Sequence, residues 1–337
     1  MPRVPSLFPA IAVAATLLAA CSSAPQQPAA AAAKPAGGYA AMPPDKDHDL
    51  KLYLADGRIV QGAEALGRMQ NEAELVLWLA GNQFFAMDDV VRAFQAQNPG
   101  MDVGLITLPP GLILGAIEKG GWTYMGKGYP GKPDIYSSVN LGHLKKLKEG
   151  GRMSRYAIHM HNEMVLMVAK GNPKKIRGVA DIARADVRTS MPNPVNEGIM
   201  QFYGRKVLER HKLWAQVSGG KECFSCQTTP NNWFTSVHHR ETPDRILAGQ
   251  SDTGFVWITE TFKAVSDGKS VDAVRLPPQD SLRDDVAYAI GALDDAPHAA
   301  AAARYLAFLT SPQAQAAYAK YGFVNATPAE LALKPIP

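Results

Sequence analysis

Glu74-Leu75-Val76-Leu77-Trp78-Leu79-Ala80-Gly81-Asn82-Gln83 is the stretch that decides the fold. Residues 74–79 read as a strand buried on both faces, because the run is apolar without alternation and of strand length. Gly81-Asn82-Gln83 then turns the chain, and Phe84, Met87, Val90, Val91 and Phe94 recur at helical spacing. A buried strand that feeds a helix through a short Gly-containing turn is the repeating unit of an α/β sheet.

The alternation continues outward. Residues 102–107 read as the next strand, and Pro109-Pro110-Gly111 opens a helix. Asp134-Ile135-Tyr136-Ser137-Ser138 is a strand that ends in hydroxyls, followed by a helix over 143–148. Residues 163–169 form a continuous apolar strand, taken as the crossing into a second lobe. That lobe holds strands at 187–190 and 253–259 and a helix over 198–210. A strand at 286–292 returns, and helices over 299–309 and 312–321 close the fold. The expectation is an α/β protein with mostly parallel sheets and two lobes. Lobe 1 is drawn over 45–162 and 286–337 and lobe 2 over 163–285, since some 290 residues exceed what one core serves.

Upstream, Arg3 precedes an apolar stretch over 7–20 that is too short to span a bilayer and reads as a signal peptide, residues 1–20. Leu18-Ala19-Ala20-Cys21 resembles a bacterial lipobox, which marks Cys21 for lipidation. Residues 21–44 are Ala, Pro, Gln, Ser and Gly for the most part, too poor in apolar side chains to offset the entropy of ordering, and read as a lipidated flexible tether. The formal charge of +4 comes with no basic run, which argues against nucleic acid as a partner. The sequence has no Gly-x-Ser-x-Gly elbow, P-loop or His-Glu-x-x-His pair, and no nucleophile, base and orienter can be named; it reads as a non-enzyme with no cofactor.

Taken in order, several local motifs resemble the periplasmic molybdate-binding proteins and their type II relatives. They are Ala80-Gly81-Asn82-Gln83, Pro133-Asp134-Ile135-Tyr136-Ser137-Ser138, Val168-Ala169-Lys170-Gly171-Asn172-Pro173, Leu213-Trp214, Gly254-Phe255-Val256-Trp257, and Leu309-Thr310-Ser311-Pro312 with Lys320-Tyr321-Gly322-Phe323. The resemblance implies a two-lobed, hinged, venus-flytrap solute-binding protein in the periplasm, a monomer anchored by its lipid. Its partners would be a small anion, either molybdate-like or organic, and an ABC permease. The implied ligand-binding residues are Asn82, Gln83, Gly111, Ser137, Ser138, Glu197, Gly198 and Trp257, set at helix N-termini whose N–H groups and dipoles attract anions. The chain departs from the family where Asn82 stands for a Ser, Pro109-Pro110-Gly111 for a second Ser turn, and Trp257 for a Tyr. Glu197 must face away from an oxyanion or else mark a cationic ligand. The alternatives are a receptor for a metal ion or complex, and a module that reports ligand to a membrane sensor kinase.

Cys223 and Cys226 form a Cys-x-x-Cys pair in an insertion placed beside the cleft. With Cys21 lipidated they are each other's only partners, and export favours a disulfide. As metal ligands they would be joined by His238 and His239, or by His161. His159 and His161 alternate on one strand face, read either as a metal pair or as a solvated strand edge.

Overall fold

The run that opens the sequence argument folds as the strand Leu75–Ala80, buried at every residue, and feeds the short 3-10 turn Gly81–Gln83 and the helix Phe84–Gln97. This computed structural model describes residues 38–139 and 141–337, without the side chains of His239 and Arg240. The signal peptide, Cys21 and most of the tether lie outside the described residues. The chain joins the fold before residue 44, however: Ala40–Ala41 pairs in parallel with Gly121–Tyr124, and Ala40 and Met42 are buried. Backbone pairing orders a segment whose side chains alone would not.

Among the described residues, the two large sheets each anchor a lobe. In the nine-stranded sheet Leu75–Ala80 lies between Val103–Leu108 and Ile135–Ser138, parallel to both. Ala287–Ala292 and Arg155–His161 continue that sheet in antiparallel fashion. In the six-stranded sheet Thr189–Met191 is parallel to Asn232–Phe234 and to Thr253–Trp257, while Met164–Ala169 is antiparallel to Thr253–Trp257 and to Val271–Arg275. The sheets are therefore mixed, where mostly parallel ones were expected. The reason lies partly in the connections: Met164–Ala169 and Ala287–Ala292, on which the chain enters each sheet, run against the central strands, as does Leu50–Tyr53 beside Val103–Leu108.

Arg155–His161 belongs to one sheet and Met164–Ala169 to the other, so Asn162 and Glu163 make the passage. The chain returns between Val271–Arg275 and Ala287–Ala292. Asn162 is fully buried there, its side-chain amide donating to Thr259 Oγ1 at 3.1 Å and to the Tyr288 hydroxyl at 3.3 Å. Thr259 and Tyr288 flank different sheets, so one amide ties both to the crossing.

Two sequence expectations change. The strand read over 253–259 stops at Trp257, and Ile258 and Thr259 begin the helix Ile258–Ser266. The helix read from Gly198 starts with a π-helical turn, Ile199–Gly204, before the α-helix Arg205–Arg210. No described helix is long and apolar enough to cross a membrane.

Candidate functional site

Strands end and helices begin on the same side of both sheets, where open α/β sheets receive ligands. The helix starts at Phe84, Pro110 and Leu141 come from the large sheet; those at Ile199, His238 and Ile258 come from the smaller one. Residues at all six starts border one cavity of about 910 Å³. First-turn N–H groups have no acceptor within their own helix, and the helix dipole adds partial positive charge at the same end. Six such ends around one space favour negative charge inside it.

The cavity wall nevertheless carries carboxylates. Asp49 is paired with Lys46 at 3.7 Å and with His48 at 3.3 Å. Glu197 and Glu260 flank His238: Glu197 Oε2 contacts its Nδ1, and Glu260 Oε1 lies 2.7 Å from its Nε2. Burial opposes a charge on this imidazole, but Glu260 and Glu197 together raise its pKa to about 10. His238 is thus a cation at neutral pH that donates from both ring nitrogens. Glu260 also accepts the Trp257 backbone N–H at 3.0 Å through Oε2, closing the start of its own helix. The sequence offered Glu197 two roles, facing away or marking a cationic ligand; instead it is held in an ion pair.

Asn82, Gly111, Glu197, Gly198 and Trp257 all line the cavity, whereas Gln83, Ser137 and Ser138 do not. Gln83 is fully buried, its amide set between Ser137 Oγ at 2.6 Å and His159 Nε2 at 3.2 Å. Ser137 Oγ also accepts the Ala80 N–H at 3.1 Å. Ser138 Oγ is 2.9 Å from His143 Nδ1, and it is the His143 ring that borders the cavity, its pKa lowered by burial. The serines therefore support the turns from beneath. The Asn82 amide donates to the Tyr288 hydroxyl, which also receives the amide of Asn162 at the crossing, so cavity and crossing share one hydrogen-bonded group.

Sequence reasoning missed Lys46, His48, Asp49, Glu260, Phe202, Tyr203 and Lys206, all of which border the cavity. Glu260 alone left a signal, an acidic residue three places into a helix that follows a strand.

The Cys and His residues weighed as metal ligands are dispersed. Cys223 and Cys226 have their sulfurs at disulfide distance and Cα atoms 6.3 Å apart. Their loop leads into Cys226–Thr229, an end strand of the smaller sheet, and neither cysteine lines the cavity, contrary to the expected cleft-side position. His238 sits between two glutamates, and His161 Nε2 lies 2.9 Å from Glu330 Oε1; the side chain of His239 is outside the described residues. Among the described residues, no three His, Cys, Asp or Glu side chains are grouped to hold a metal ion. His159 is fully buried and His161 nearly so, on a strand paired along both sides, so neither occupies a solvated edge.

The cysteine pair gives a direct test. A bond across so short a loop removes little unfolded-state entropy, about 2 kcal/mol at most. Replacing both cysteines by serine should lower unfolding free energy by no more than that and leave ligand binding unchanged. Thiol counting on the denatured, unreduced protein should find neither thiol; two thiols that titrate only after a metal is chelated would refute the disulfide.

Comparison with known proteins agrees with this geometry. The family profile described as bacterial extracellular solute-binding protein matches residues 75–324. The chain is 21% identical to the molybdate-binding protein ModA of Mycobacterium tuberculosis strain H37Rv, over 81% of this chain and 92% of that protein. It is 27% identical to a sulfate-binding protein of Synechococcus elongatus, over 52% of this chain and 51% of that one. In three dimensions it is similar to the periplasmic molybdate-binding protein of Azotobacter vinelandii, with a TM-score of 0.55, 16% identity and coverage of 75% and 100% of the two chains. With the whole smaller sheet, the central strands of the large one and all six cavity-lining helix starts inside the matched residues, the chain belongs to the family of bacterial extracellular solute-binding proteins, and it is a binding protein rather than an enzyme.

Proposed function

We propose that this chain is a lipid-anchored periplasmic receptor that captures a small anion and delivers it to an ABC permease. Cys21 would carry the lipid, residues 22 to about 38 would serve as tether, and the monomeric body would close lobe 2, residues 163–285, onto lobe 1. The observation that carries the reading is the convergence of helix N-termini from both sheets on one cavity whose Glu197 and Glu260 are already paired with His238. Backbone dipoles then remain to attract an anion. The names of the molybdate- and sulfate-binding relatives support the same ligand charge. The fit also accounts for Asn82: a ligand at this turn sits one hydrogen bond from Tyr288 and two from the crossing at Asn162.

A melting-shift screen over oxyanions, carboxylates and divalent metals tests it. A ligand at 100 times its Kd should stabilise the folded state by about 2.7 kcal/mol, raising Tm by about 5 °C or more. Stabilisation by anions but not by metals is the expected result. Stabilisation by Zn²⁺ or Cu²⁺ alone, reversed by chelator, would establish the metal receptor instead.

A further inference from the structure

Resting on the anion reading just given, we infer that the natural ligand is an organic anion, a carboxylate or phosphoryl headgroup on an apolar body, and not a bare tetrahedral oxyanion. Size is the first argument. A tetrahedral oxyanion fills about 100 Å³, a few water volumes, whereas the cavity measures about 910 Å³, near the upper end for drug-sized organic ligands.

The donor supply is the second. An oxyanion stripped of water needs several donors on each oxygen, or the cost of its desolvation goes unmet. Pro110 has no N–H, and the N–H groups of Leu112 and Ile113 are both taken by the Pro109 carbonyl, so Gly111 is what that turn has to offer. The helix at Ile258 has its opening N–H, that of Trp257, bound by Glu260. Ser137 and Ser138 do not line the cavity, their hydroxyls being engaged by Gln83 and His143, and the Thr107 hydroxyl is turned toward Asp49. Backbone donors therefore remain at the turns of Asn82, Gly111 and Gly198, enough to hold one headgroup, while Lys46 and Lys206 add charge at the border of the space without closing it around a small ion.

The cavity wall is apolar beside those turns as well. Phe84, Leu141, Phe202 and Trp257 border the space, and Phe202 is left 55% exposed at the surface of its helix. Exposed aromatic rings beside a cavity bury apolar surface when a ligand body covers them. A bare oxyanion would gain nothing from them.

The test compares headgroup-matched pairs by calorimetric titration and melting shift on the full chain without its signal peptide. Phenylphosphonate is set against phosphate, and phenylacetate against acetate, with sulfate and molybdate alongside. The expected result is at least tenfold tighter binding of the phenyl-bearing member of a pair, and at least a fivefold loss of that preference in Phe202→Ala with apo Tm unchanged. Should phosphate, sulfate or molybdate bind as tightly as the organic anions, this inference falls while the anion reading stands. If divalent metals alone bind, or no anion binds at all, both fall together.

Discussion

The unfolding free energy of the purified protein is expected to be greatest near pH 6.5 and to decline on both sides, because two buried histidines are held in opposite charge states. His238 keeps its proton in the fold up to a pKa of about 10, against about 6.5 when unfolded. Above pH 6.5 the unfolded chain holds fewer protons than the folded one, so stability falls as pH rises toward 10. His159 is the mirror case. Burial lowers its pKa to about 3, so between pH 6.5 and 3 the unfolded chain holds more protons and stability falls as pH drops. Each limb has a slope approaching about 1.4 kcal/mol per pH unit. Asp88, where burial acts upward but Lys51 and the Tyr53 hydroxyl outweigh it, and Asp89, lowered by Lys320, add to the loss only within the carboxylate range.

The two limbs separate by mutation. His159→Gln should flatten the acid limb and leave the alkaline one. His238→Gln should flatten the alkaline limb and, by leaving Glu197 and Glu260 to face each other across a buried site, cost about 3–5 kcal/mol at pH 7. Urea titrations from pH 4 to 9.5 provide the measurement. A wild-type profile that is flat from pH 6.5 to 9.5 would show that His238 is not held as a cation.

How far the sequence could be read depended on whether the interaction was local. Leu75–Ala80 was legible because burial on both faces leaves an uninterrupted apolar run. The strand ending at Trp257 was overextended because Ile258 and Thr259 are β-branched and favour strands. What overrides that preference is Glu260, whose carboxylate takes the Trp257 N–H and fixes a helix start. Asn82, Gly111, Glu197, Gly198 and Trp257 were placed through family resemblance, and all border the cavity. Ser137 and Ser138 do not, because their hydroxyls are engaged beneath the turns, Ser137 with Gln83 and the Ala80 N–H and Ser138 with His143, partners that only the fold supplies. The hardest residue was His238, which stands a dozen places from a Cys-x-x-Cys pair and was weighed as its metal partner. Its real partners lie 41 and 22 positions away, a separation that only the fold closes.

Gly254→Ala is expected to cost about 3 kcal/mol or more, though it adds a single methyl group. Gly254 lies inside Thr253–Trp257, opposite Met167 in the antiparallel register and beside the parallel strand Thr189–Met191. A Cβ at this position would overlap the Ser190 carbonyl oxygen and come within 2.9 Å of Thr242 Cγ2. The first neighbour is backbone in the middle of a sheet, so no rotamer change relieves the clash, and overpacking must be met by parting the strands. That movement reaches the cavity from two sides. Thr253–Trp257 ends at the residue whose N–H Glu260 holds, and Thr189–Met191 leads into the segment carrying Glu197. Both flank His238, so the variant should lose ligand affinity along with stability. Gly178 is the control: its backbone is extended, a Cβ there meets nothing within 4 Å, and Gly178→Ala should change stability by less than about 1 kcal/mol, in the stabilising direction. Urea midpoints for the two variants settle the matter. A Gly254→Ala protein within about 0.5 kcal/mol of wild type would mean that the two strands are not packed as closely as described.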